Sequence, residues 1–268
     1  MNGLLRICKA NMMKIKRTPL MWVHVLVPVM GSGLFLSYHS LSRWNEMTKV
    51  SGFLQVVAVA FPLAIAVVTS LYTELEKSAG DYKVLLGGSD PKLLTMLAET
   101  LVLLFLGLLS ALATTCSFGA GFHLMGYEDH SQYFYIIAGV ILWLSSLTTY
   151  GIHIFVSFMF SKNISVGLGV AESLIAALFL TGLGDGVWPM APFAWGGRFI
   201  SWWQYVESPD YILWGSQGNI REALRQEYTL PCVMAIIVTV VCFIGLMLWC
   251  DRWGGEKLRC RNSVSHRA

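Results

Sequence analysis

Leu71-Tyr72-Thr73-Glu74-Leu75-Glu76-Lys77-Ser78-Ala79-Gly80-Asp81-Tyr82-Lys83-Val84-Leu85-Leu86-Gly87-Gly88-Ser89-Asp90-Pro91-Lys92 decides how the chain is read. Seven charged residues stand here between two long apolar runs, and Tyr82, Leu85 and Leu86 keep helical spacing inside the island. Gly87-Gly88 reads as a helix stop, and Asp90 followed by Pro91 reads as an N-cap with proline at the first helical position. The spacing therefore predicts a short surface helix that ends before a new apolar helix begins. Such an island serves either as a docking element or as a solvated connection between two spans.

The flanking runs set the class. With 55% hydrophobic and 13% charged residues in 268 and a mean hydropathy of +0.59, the chain is far more apolar than a soluble domain, which averages about 25% charged. Crossing a bilayer core of about 30 Å takes about 20 apolar residues, and the sequence offers about six such runs. We expect an all-α integral membrane protein in which residues 1–268 form one transmembrane domain.

Outward from the island, the second span is expected at residues 52–72, interrupted by Pro62, and the third at 93–125, longer than one crossing requires. Either that span is tilted, or its first two turns, with Glu99, stand in the inner interface. The first span covers 20–38, with Trp22 and Tyr38 as interface anchors. Before it, Lys9, Lys14, Lys16 and Arg17 alternate with Ile7, Met12 and Ile15, the pattern of an amphipathic helix lying along the membrane surface. The fourth span covers 133–160, the fifth 164–184 and the sixth 230–249. Between the last two lies a segment rich in tryptophan and tyrosine, too aromatic for a free loop and expected to be re-entrant or interfacial on the outer side.

With the N-terminus inside, fourteen Lys and Arg fall on the inner side and five on the outer. That asymmetry fits the positive-inside rule with six spans and both termini cytosolic, so the island faces the cytosol.

Several chemistries are absent from the pattern. No Gly-Lys pair occurs, so the phosphate-binding loop of a nucleotide hydrolase is missing and this chain is not expected to hydrolyse ATP. The six cysteines never fall two apart, and Glu74-x-Glu76 has no histidines at ligand spacing, so neither a metal site nor a disulfide framework is expected. Within the spans, Glu172 is singled out: a carboxyl at that depth needs a partner, a cavity or a proton, and His153 is the candidate partner. Small residues at Gly167, Gly169, Ala171, Ala176 and Ala177 fit close packing of that span on a neighbour.

A basic interfacial helix, six spans, the island from Glu74-Leu75-Glu76 to Asp90-Pro91 and an outer aromatic segment together resemble the permeases of type-2 ABC exporters. The opening Leu5-Arg6-Ile7-Cys8-Lys9-Ala10-Asn11-Met12-Met13-Lys14-Ile15-Lys16-Arg17-Thr18-Pro19 and the run from Glu74 through Gly80 to Pro91-Lys92 are similar to the lantibiotic-immunity permeases.

The resemblance implies a bacterial plasma-membrane subunit, driven by a separate cytosolic ATPase dimer that holds the ATP, the magnesium and the catalytic residues. It implies a second permease chain, alike or related, and no nucleic-acid partner. Glu74, Glu76, Lys77, Asp81, Tyr82 and Leu85 would then form a coupling helix seated in the ATPase. The substrate would be a cationic amphipathic peptide, met on the outside by Trp202, Trp203, Glu207 and Asp210. A drug, lipid or polysaccharide exporter of the same group is the alternative, with a secondary transporter or a membrane-embedded hydrolase behind it.

Overall fold

Runs rich in leucine, valine and alanine, broken by few prolines and delimited by Asn, Ser and Thr, fold as helices throughout. A computed structural model describes residues 2–127, 130–207 and 219–255, and no strand occurs among them. In chain order the helices are α1 (Asn2–Ile15), α2 (Pro19–Leu41), α3 (Glu46–Ser78), α4 (Lys83–Gly87), α5 (Lys92–Leu124), α6 (Gln132–Ser145), α7 (Leu147–Met159), α8 (Lys162–Phe179), α9 (Trp195–Val206) and α10 (Asn219–Arg252). Three single 3₁₀ turns lie between α8 and α9.

The starts have local causes. Asn45 accepts the Thr48 amide at the head of α3, Ser161 accepts that of Ile164 at the head of α8, and Pro19 opens α2. Five helices are long and apolar enough to cross a membrane, and α6 with α7 makes a sixth apolar length bent by 43°. The expected straight fourth span is therefore broken. Ser145 and Ser146 bond back to the carbonyls of Ile141 and Leu142, one turn earlier, which loosens the helix at that point.

Other expected boundaries also move. The fifth apolar helix stops at Phe179 instead of running to 184, because Thr181 turns the chain and Arg198 caps the freed carbonyls. The last helix begins at Asn219, inside what reads as an outer loop, and carries Pro231 within it.

In the packed bundle, α3 lies against α8, α7 and α9, while α5 lies against α2, α6 and α1; α10 touches α7 and α5. Two apolar cores result. Phe53 stacks on Phe118 with ring centroids 3.7 Å apart in the first, which also holds Phe134, Leu142 and Ile200. Ile15, Tyr72, Tyr82, Met96 and Leu103 centre the second. At the end of the bundle that holds the second core, α1, the 79–91 connection, the α7–α8 turn and the end of α10 all meet. At the opposite end, Lys49 donates to the Tyr127 hydroxyl at 2.7 Å, joining the α2–α3 and α5–α6 connections.

Candidate functional site

The island is not one helix. Glu74, Glu76 and Lys77 belong to the last turn of α3, which runs past the expected end at 72. Gly80, Asp81 and Tyr82 then take positive φ (138°, 57° and 62°), and α4 follows. A positive φ is costly for Asp81 and Tyr82, and it is held because the Tyr82 side chain is buried between Phe158 and Trp253, with centroids at 5.4 and 5.2 Å. Gly88 closes α4 with a negative φ of −68°, so the stop is not a left-handed glycine. Pro91, one residue later than expected, is the cap of α5, and Asp90 instead pairs with Arg6 at 2.6 Å.

Four contacts tie this element to its neighbours. Lys14 of α1 donates to Glu76 at 2.5 Å, and Lys162 at the start of α8 pairs with Glu74 at 3.1 Å. Arg6 of α1 meets Asp90, and Lys92 of α5 donates to the carbonyls of Asp251 and Trp253 at the end of α10. Of the six residues expected to face a partner, Glu76, Tyr82 and Leu85 are buried within the chain itself. Glu74 and Lys77 are exposed, and Asp81 is half-buried. Two apolar residues outside those six, Val84 and Leu86, are exposed on α4 at 53% and 38%. A hollow of about 370 Å³ bounded by Asp81, Lys83, Leu86 and Gly255 lies on one side of α4, and one of about 250 Å³ bounded by Ile7, Val84 and Asp90 on the other.

A second polar site lies deeper, where α3, α7 and α8 meet. His153, fully buried, places Nε2 2.8 Å from Oε2 of Glu172 and Nδ1 2.9 Å from the Ser165 hydroxyl. The set is satisfied when Nε2–H donates to the carboxyl group and the Ser165 hydroxyl donates to Nδ1. The expected pairing is thus present, and Ser165 is the member that sequence reasoning missed; its position one turn before Gly169 on the face of Glu172 is the available signal. A Ser-His-Glu order invites comparison with a hydrolase. Ser165 is wholly buried, however, so its hydroxyl is not offered to a substrate and the set joins helices.

Packing explains how the site closes. Among the small residues of α8, Gly169 and Ala176 are buried, and a Cβ on Gly169 would fall 2.4 Å from the Ala66 Cβ of α3; Gly167, Ala171 and Ala177 face outward. Beside it, the Ser173 hydroxyl accepts the Leu63 amide at 3.3 Å, next to the break that Pro62 makes in the α3 hydrogen-bond ladder.

At the opposite end, the aromatic segment packs back on the bundle. Trp195 donates to the Pro189 carbonyl at 2.9 Å, and Arg198 reaches Asp185 as well as the carbonyls of Phe179 and Thr181. The two tryptophans expected to contact substrate have different settings. Trp203 donates to the Phe134 carbonyl at 3.3 Å and stacks near its ring, as an internal anchor. Trp202 lines a cavity of about 500 Å³ between α9, the α6–α7 bend and α10, walled by Leu144, Phe199 and Ile236 among others. Glu207 is exposed at the end of α9. Asp210 lies outside the described residues, as do Tyr211, Trp214 and the basic tail from residue 256.

No protein-family model, no curated protein and no solved structure matches the chain.

Proposed function

We propose that the chain is a multi-pass membrane permease, the transmembrane subunit of a bacterial ABC exporter driven by a separate cytosolic ATPase. The observation that carries this reading is the build of the charged island. It is folded, held by ion pairs and hydrogen bonds to α1, α8 and α10, and it leaves Glu74, Lys77, Val84 and Leu86 on its outer surface. A force applied there by a partner reaches several spans at once, which is what coupling requires and what a loose connection cannot do. The end of α10 lies beside this face, in keeping with an even number of crossings and both chain ends in the cytosol.

The rest of the transport reading follows from the opposite end and the flanks. Trp202 and its apolar cavity suit the apolar face of a cationic amphipathic peptide, and Glu207, five residues on, suits its charge. The largely exposed apolar face of α10, with Ile237, Val241 and Ile244, suits lipid or a second permease chain. ATP and magnesium belong to the partner.

The test is recovery of an ATPase from native membranes with the tagged chain, comparing wild type with V84D/L86D. Co-purification and stimulated hydrolysis in the wild type, both reduced at least tenfold in the variant at equal membrane abundance, support the assignment. Recovery with no ATPase, or full coupling in the variant, overturns it.

A further inference from the structure

Where α1, α3 and α5 meet, Glu76 is 3% exposed and Glu99 1% exposed. Lys14 donates to Glu76. Glu99 lies within electrostatic reach of Glu76 and Lys14, and the Tyr72 hydroxyl is close to both carboxyls. Yet neither oxygen of Glu99 completes a hydrogen bond, nor does the Tyr72 hydroxyl, although Tyr72 is fully buried. The remaining neighbours do not balance the charge. On α10 the group in reach is the Cys250 thiol, and Lys92 in the first turn of α5 is drawn off to the carbonyls of Asp251 and Trp253.

Two carboxylates and one ammonium would leave a single uncompensated negative charge in a space closed to water. Such a charge is strongly unfavourable, and carboxyls that share a buried site retain one proton between them. We propose that Glu76 and Glu99 form a proton-binding site that holds one exchangeable proton, and that its occupancy decides whether α1 stays latched to the bundle through Lys14.

With the proton bound, Glu99 is neutral, Lys14 and Glu76 balance each other, and α1 is seated by Ile7, Asn11 and Ile15. When the proton passes to water, the second negative charge demands hydration. The element that yields is α1, whose other face, with Leu5, Lys9 and Met13, is already exposed and whose other ion pair, Arg6 with Asp90, lies at the surface in reach of water. The latch works whatever substrate the chain transports.

Cys8 supplies the probe, because it sits on α1 with Sγ 3.8 Å from the Ala98 carbonyl and burial pushes its thiol up from the ordinary value. The full chain, with Cys8 as its sole cysteine, is placed in lipid nanodiscs and labelled with a neutral thiol reagent from about pH 6 to about pH 9. Dividing each rate by that of E99Q at the same pH removes the titration of the thiol itself. The ratio is expected to rise several-fold with pH and to flatten when E76Q replaces the wild type. A flat wild-type ratio overturns the proposal, and so does an equal change produced at fixed pH by exchanging sodium for choline. Should E99Q fail to fold, infrared spectra of the wild type decide: a protonated carboxyl band lost as pH rises supports the site, and absence of such a band at every pH refutes it.

Discussion

His153 and Glu172, nineteen residues apart, meet at 2.8 Å across the α7–α8 turn, with Ser165 holding the other imidazole nitrogen. Because the imidazole is fully buried, the pair is a lock between two helices whose removal from one side leaves a polar group without a partner. H153A is therefore expected to cost several kcal/mol, since Glu172 is stranded, whereas E172Q keeps a hydrogen bond to the ring and costs about 1 kcal/mol. The double variant is expected to lose less than the two single losses combined. Denaturation midpoints of the four proteins in one detergent check this, and simple additivity would show that the two side chains act separately.

Gly169 and Gly167 make a matched pair on one helix. A methyl group at Gly169 meets Ala66 and lies 3.2 Å from the Leu63 Cα, so G169A must push α8 off α3, at about 1 to 3 kcal/mol. At Gly167 nothing lies within 4 Å, so G167A is expected to be neutral or slightly stabilising through helix propensity. Thermal unfolding of both variants measures the difference, and equal midpoints would contradict the close α3–α8 packing.

If the proposed function holds, the two tryptophans of α9 separate stability from transport. W203A removes the bond to the Phe134 carbonyl and the stacking on its ring, so its midpoint should fall by an amount matching about 3 to 5 kcal/mol. W202A enlarges a cavity at its wall, so it should fold with a smaller loss while reducing protection of cells against a cationic peptide. Unchanged protection in W202A, with the protein in the membrane, would leave that cavity outside the transport route.

Topology is tested with single cysteines at exposed positions. In intact cells an impermeant reagent is expected to label N45C, at the α2–α3 connection, and not S78C, at the end of α3, until the membrane is opened. Labelling of S78C in sealed cells would invert the map and remove the island from the cytosol.

The helical class, the approximate place of each apolar length and the existence of a charged island are all legible along the chain. Those features rest on local signals: runs of apolar residues about 20 long, and the density of charge between them. His153 is legible as the candidate partner of Glu172 for a related reason, because few polar groups stand in those runs and each needs another.

Which side chains turn inward is a property of the packed bundle. Glu76, Tyr82 and Leu85 look like their exposed neighbours in the sequence, and they are buried because α1, α7 and the end of α10 close around the island. The bend at Ser145 and Ser146 has no linear signature, because a serine bonded to its own helix resembles one bonded to a neighbour. Glu99 reads as an interfacial charge in the first turns of α5, and it becomes half of a buried carboxyl pair because α3 extends past residue 72 and carries Glu76 to it. A linear pattern records what each residue is; the partner it meets depends on where separate helices cross, and that geometry is set by packing over the whole bundle.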